Sequence, residues 1–173
     1  MPGVTDRRSL AQSASEARDE IGKLRQEVLD VLPRETPLSV ELRSKALRDA
    51  YPDAANAPVA LEDIAAVAAT VLLEDGHVGK AYELTGPETV TRAERVRLIG
   101  EALGREIPFV ELTHEQAVGQ LSAVMGEHAA WYLDHMARLA ECPQRAVPTV
   151  EEITGRPGTT FAEWAVKHVG TFR

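Results

Sequence analysis

Apolar positions recur at helical spacing along most of the chain. In SLAQSASEARDEIGKLRQEVLDVL they fall at Leu10, Ala14, Ala17, Ile21, Leu24, Val28 and Val31, with alternating gaps of 4 and 3. This heptad seam predicts one helix. With Ile21 and Val28 at a positions, Leu24 and Val31 take d, and Glu20 and Arg25 are spaced for an interhelical ion pair. Two readings fit: a short dimerising coiled coil, and an amphipathic helix docked on its own domain. Three heptads with two alanines in the seam make a weak zipper, which favours the docked helix. Pro33 and Pro37 break the pattern. They set the predicted boundary between residues 1–40, an amphipathic helix with a Pro-rich edge, and residues 41–173.

Beyond that boundary VELRSKALRDA predicts a second short helix, and YPDAANAP a turn-rich connector. EDIAAVAATVLLEDG predicts a helix with Ile64, Val67, Ala68, Val71 and Leu72 on its inward face and Gly76 just past its end. AYELT predicts a short strand that enters a Gly86-Pro87 turn. Thr91-x-x-Glu94 reads as a capping box, opening a helix with Val96, Ile99 and Leu103 inward and a stop at Gly104. IPFVEL predicts a second strand. Thr113-x-x-Gln116 opens a helix to about Val124, and HAAWYLDHMARLAEC a further helix ended by Pro143. Thr149-x-x-Glu152 and Thr160-x-x-Glu163 open the last two. The helix at 61–73 and the YELT segment need a covering layer, either the N-terminal helix or a partner.

Composition narrows the class. The chain has 173 residues, the size of one ordinary domain. Aromatics are only 5%, so the core must come from Ala, Val, Leu and Ile. A single cysteine, Cys142, excludes an internal disulfide and fits a reducing compartment, so a cytoplasmic location is expected. No apolar run is long enough to span a bilayer, and no apolar h-region follows Met1, so no membrane partner is expected. The net charge of -8 comes entirely from residues 51–173, since residues 1–50 hold nine basic and nine acidic side chains. An acidic body argues against a nucleic-acid partner.

The candidate chemistry begins at AYELTGPETVTRAE, a strand-to-helix junction of the kind that often cradles a phosphate. This one has a single glycine, Gly86, followed by Pro87, which has no N–H. Glu88 and Glu94 repel an anion and suit a self-capped helix. The chain contains no G-x-G-x-x-G, no G-x-S-x-G and no Tyr followed four positions later by Lys. Gly76-x-x-Gly79-Lys80 lacks phosphate-loop spacing. His128 and His135 lie two turns apart, about 10 Å by helix rise, too far for one metal ion, and no metal site is predicted. His128, Trp131, Tyr132, His135 and Met136 form the candidate substrate pocket, weighed against an amphipathic packing helix with polar tips at the surface. Asp63 opens its helix either as a carboxylate near a cofactor or as a dipole-stabilising residue.

APV followed by EDIAAVAA, then YELTGPE, a helix ending LGR, the IPFVEL strand and the tail EEITGRPGTTFAEWAVKH form an ordered series over roughly residues 46–169. It resembles the C-terminal half of NmrA-like, atypical short-chain dehydrogenase/reductase proteins. The resemblance implies an α/β fold: a helix-rich remnant of a Rossmann-type NAD(P)-binding domain with two to three short strands, preceded by the amphipathic helix. The family's glycine fingerprint lies near its own N-terminus and has no counterpart here. The resemblance therefore implies a truncated, substrate-lobe protein that is not an oxidoreductase alone and serves as a small-molecule or partner-binding module. No cofactor is expected for this chain alone, with NAD(P) only if a partner supplies the Rossmann half. The alternatives are an NAD(P)H-dependent oxidoreductase or epimerase-type enzyme completed by a separate chain, and a regulatory homodimer held by the heptads. Asp63, Thr85, Gly86, Pro87 and Glu88 are carried over as cleft-edge residues.

Overall fold

The computed structural model describes residues 46–172. The chain divides into two units, residues 1–36 and 37–173, and the account below concerns the second. The heptad seam lies outside the described residues, as do residues 40–45 of the predicted second helix.

The described elements run β1 (Leu47–Asp49), β2 (Ala55–Asn56), α1 (Leu61–Leu73), β3 (Val90–Thr91), α2 (Arg92–Leu103), β4 (Phe109–Glu111), α3 (His114–Met125), α4 (His128–Glu141), α5 (Thr149–Thr154), α6 (Phe161–Lys167) and a 3-10 turn, Val169–Phe172. β1 pairs parallel with β4 and β2 antiparallel with β3, giving a helix-rich α/β unit with two two-stranded sheets. At its carboxyl end β4 leads directly into α3, whereas β1 is followed by a turn and β2.

Two apolar clusters hold the unit. Leu47, Val96, Ile99, Ile107, Ala165 and Phe172 join β1, α2 and the C-terminal segment, with Phe161 and Trp164 packed alongside. Ala50, Leu112, Ala117 and Leu133 join the strand ends to α3 and α4. The fully buried Leu133 side chain contributes about 1.5–3 kcal/mol.

Two expected elements differ. VELRSKALRDA is not helical over Leu47–Asp49, which is a strand in register with Phe109–Glu111. Its local helix propensity is weak against the ladder and the burial of Leu47, which is 2% exposed. AYELT forms no strand. A strand needs an aligned neighbour for its alternate N–H and C=O groups. Among the described residues the segment meets one only at its end, where the Gly86 N–H donates to the Ala57 carbonyl (3.1 Å). The in–out alternation of Ala81, Tyr82, Glu83 and Leu84 survives without the ladder.

The helix starts are mixed. Thr113 with Gln116 and Thr160 with Glu163 form full capping boxes. Thr91 accepts from the Glu94 N–H, but the Glu94 carboxylate turns to Arg97 Nε (2.8 Å) instead of closing the box. That hydrogen bond holds Glu94 below its ordinary pKa of 4.5. Thr149 is the first helical residue of α5 rather than its cap, since Pro148 occupies the cap position. α1 buries Asp63 and Val67, whereas Ile64, Ala68 and Leu72 of its expected inward face are exposed.

Candidate functional site

Four of the five cleft-edge residues, Asp63, Thr85, Pro87 and Glu88, meet the chain's own C-terminal segment, and Gly86 packs against Pro58. Asp63, fully buried in the first turn of α1, accepts the Thr159 N–H on Oδ2 at 2.6 Å. Its Oδ1 lies 3.1 Å from Arg156 Nη1, close enough for an ion pair but without the alignment of a hydrogen bond. Glu88 Oε1 accepts the Phe161 N–H (3.0 Å), one of the unpaired donors at the start of α6. The Thr85 hydroxyl accepts the Val147 N–H (2.8 Å) and donates to the Gly86 carbonyl (2.9 Å). Thr89 Oγ1 donates to the Gln144 carbonyl (2.8 Å) and accepts from the Ala146 N–H (3.2 Å). Pro87 Cδ would meet a Cβ at Gly158 at 3.3 Å, so tail and turn are in close contact. A Cβ on Gly86 would stand 2.1 Å from the Pro58 carbonyl oxygen, so only glycine fits there. Together these contacts make a latch that fastens residues 144–161 to the α1 start and the Gly-Pro turn. Glu163 closes the capping box of α6, held below pKa 4.5 by the Thr160 backbone and hydroxyl it accepts from.

The aromatic helix splits its candidate residues. His128, Trp131 and His135 are exposed on α4, with the Trp131 and His135 rings stacked 6.3 Å apart. Tyr132 and Met136 are half-buried. Tyr132 accepts a hydrogen bond from Arg92 Nη1 (3.0 Å).

That contact belongs to a second polar cluster, which sequence reasoning missed. Asp49 ends β1, Tyr51 follows it and His114 follows β4, so all three stand at the carboxyl ends of the parallel pair, the usual ligand side of such sheets. Asp49 pairs with Arg92 and also accepts the Ala50 N–H (2.8 Å). Tyr51, the one non-glycine with positive φ among the described residues, shares a 2.8 Å hydrogen bond between its hydroxyl and His114 Nδ1. His114 Nε2 lies 3.9 Å from Asp134 Oδ1. Arg95, one turn beyond Arg92, donates to the Val90 carbonyl (3.2 Å) and faces the Phe161 ring at 6.0 Å. The signal available in sequence was the Arg92-x-x-Arg95 spacing in the first turn of a helix, which puts two guanidiniums on one side.

A separate groove of about 650 Å³ is lined by Arg97, Glu101, Gly104, Arg105, Ile107 and Phe109. None of the sequence-named candidates borders it, and Arg97 is paired with Glu94 and Glu101. Among the described residues no three His, Cys, Asp or Glu side chains are placed to hold a metal ion. No described helix is long and apolar enough to cross a membrane.

No protein-family model matches the chain. It is 35% identical over 131 residues to a (4-alkanoyl-5-oxo-2,5-dihydrofuran-3-yl)methyl phosphate reductase of Streptomyces griseus, covering 73% of this chain and 45% of that protein. It is 38% identical over 113 residues to an NAD(P)H azoreductase of Xenophilus azovorans, covering 64% and 40%. The crystal structure of an NADPH-dependent quinone oxidoreductase of Escherichia coli superposes with a TM-score of 0.64 at 25% identity, over 76% of this chain and 48% of that one. The chain spans less than half the length of these relatives.

Proposed function

The chain corresponds to a C-terminal portion of the NmrA-like, NAD(P)-binding reductase and epimerase proteins, and from that premise we propose that it is their substrate-side lobe. On this reading residues 46–172 bind a small molecule at the carboxyl ends of β1 and β4 and perform no hydride transfer by themselves. The observation that carries the reading is the polar cluster of Asp49, Tyr51, Arg92, Arg95, His114 and Tyr132 at those strand ends. The latch supports it from the other side. Its carboxylates and hydroxyl are engaged by the chain's own backbone, the Gly86 N–H is engaged by Ala57 and Pro87 has none, so neither residue of the Gly-Pro pair offers a donor to a pyrophosphate. The absent G-x-G-x-x-G points the same way. The named substrate of the Streptomyces relative carries a phosphate ester, and that of the Xenophilus relative belongs to the azo class, so a small organic acceptor is the substrate class this lobe would face. The exposed, single Cys142 fits a cytoplasmic setting.

Titrating the purified chain with NADPH by calorimetry tests the reading. We expect no saturable heat; tight one-to-one binding would sink it. A second reading, an enzyme completed by a separate Rossmann-type chain, draws on the exposed apolar side chains of α1, among them Leu61, Ile64 and Leu72. It predicts that NADPH binding appears only when a glycine-rich half is mixed in.

A further inference from the structure

We propose that Arg92, Arg95 and Tyr132 form a binding site for a compact anion of the phosphate-monoester class. The starting point is a charge imbalance. Two guanidiniums, which stay protonated in proteins, stand one helical turn apart on α2, and among the described residues one carboxylate, Asp49, pairs with Arg92 and none is seen on Arg95. Asp49 is committed to Arg92 and to the Ala50 N–H. Arg95 has a neutral carbonyl, Val90, and an aromatic face, Phe161, as its partners. The Nε atoms of both arginines are buried and meet no acceptor among the described residues. Burial first, and the charge of Arg92 second, hold Arg95 below its ordinary pKa, the direction for a cation short of a counterion.

The nearby acids are occupied elsewhere. Glu94 is bound to Arg97, and Glu88 to the Phe161 N–H. The site is not a helix N-terminus either. The Arg92 and Ala93 N–H groups donate to the Ala54 and Pro52 carbonyls, and the Glu94 N–H donates to Thr91 Oγ1. What remains for a ligand is side-chain chemistry: the guanidinium N–H groups of Arg92 and Arg95 that do not already donate to Tyr132, Asp49 or Val90, and a phenol. The Tyr132 hydroxyl accepts from Arg92, so its own proton is available to an acceptor. The three terminal oxygens of a phosphate monoester match that donor set, and guanidinium forks bind such oxygens in pairs. A half-buried, poorly compensated cation gains more from a counterion than a solvated surface arginine does.

The proposal names the ligand class of the substrate-lobe reading and rests on it for biological use only. Inorganic phosphate probes the site itself, whereas NADPH titration probes that reading, so one can fail without the other. The unfolding midpoint of the chain should be followed against phosphate concentration, with chloride at matched ionic strength as reference. The expected result is a saturable rise that follows the mass action of a ligand binding the native state alone. Arg95→Met should abolish the rise, and Arg145→Met, at an exposed arginine, should keep it. If Arg95→Met does not fold, Arg95→Lys serves: it keeps the charge, loses the fork and should weaken phosphate about tenfold. A wild-type response no larger than that to chloride overturns the proposal. So does equal loss in Arg95→Met and Arg145→Met, or undiminished phosphate affinity in Arg95→Lys.

Discussion

The latch and the arginine seam lie in the same unit and draw on the same kinds of side chain, yet they end in opposite states. In the latch, Asp63, Thr85 and Glu88 each meet a backbone N–H of the segment 147–161. In the seam, among the described residues, Asp49 pairs with Arg92, Arg95 has a neutral carbonyl as its acceptor, and the buried Nε atoms of both lack one. A buried carboxylate is costly unless hydrogen-bonded or paired, and Asp63 meets that condition within the chain, through the Thr159 N–H on Oδ2 and the Arg156 ion pair on Oδ1. The latch is therefore architecture: it fixes the tail and has little left to offer a ligand. The seam leaves interaction energy unclaimed, which is the condition for binding. The contrast separates two meanings of a buried polar cluster that look alike in a list of residues.

The sharpest way to break the comparison is Gly86→Ala. The added Cβ would meet the Pro58 carbonyl oxygen at 2.1 Å, a backbone atom that no side-chain rotation can move aside. The Gly-Pro turn would have to move away from Pro58, at a cost of roughly 3 kcal/mol. Thermal unfolding should show a midpoint lower by several degrees, with phosphate binding at the seam retained in the folded fraction. An unshifted midpoint would mean that the turn is not packed as described. Asp63→Ala comes next. It leaves the Thr159 N–H buried without an acceptor, for about 2 kcal/mol. Arg156→Ala removes the same ion pair from its half-exposed side and should cost under about 1 kcal/mol. Denaturant midpoints check both. If Arg156→Ala costs as much as Asp63→Ala, the charge pair rather than the N–H bond holds the tail.

The residues of the latch were named in sequence as cleft-edge positions, but their hold on the C-terminal segment was not legible, and neither was most of the seam. Asp63, Thr85, Gly86, Pro87 and Glu88 stand in an ordered family series, so their place was readable before their partners were. Their partners, Thr159, Phe161 and Val147, are backbone donors, and backbone donors leave no mark in sequence. The helices were readable because Thr113-x-x-Gln116 and Thr160-x-x-Glu163 satisfy their own ends locally. Leu47–Asp49 was not, because its partner Phe109–Glu111 lies some sixty residues on, and pairing across that separation overrides local preference. The same separation hid the seam. Asp49, Arg92 and Tyr132 come from a strand end and two helices, and contacts between segments far apart in sequence bring them together.

The smallest expected effect concerns a third region, the outer face of α1, and it sharpens the contrast by supplying a neutral reference. Leu72 is 81% exposed, so it buries little in this unit. Leu72→Gln should change unfolding stability by no more than about 0.5 kcal/mol, as a substitution away from packed or hydrogen-bonded features does. A covered leucine would behave differently, since burying a Leu side chain is worth roughly 1.5–3 kcal/mol. Equilibrium unfolding of Leu72→Gln therefore reports whether the face is bare in the chain as it exists. A loss above about 1 kcal/mol would show that the face is already covered, because an uncovered side chain has no packing of that size to lose. A neutral result leaves the face open to the separate Rossmann-type chain of the second reading. In that case the same substitution should weaken the mixed complex while leaving the phosphate response at Arg92 and Arg95 untouched.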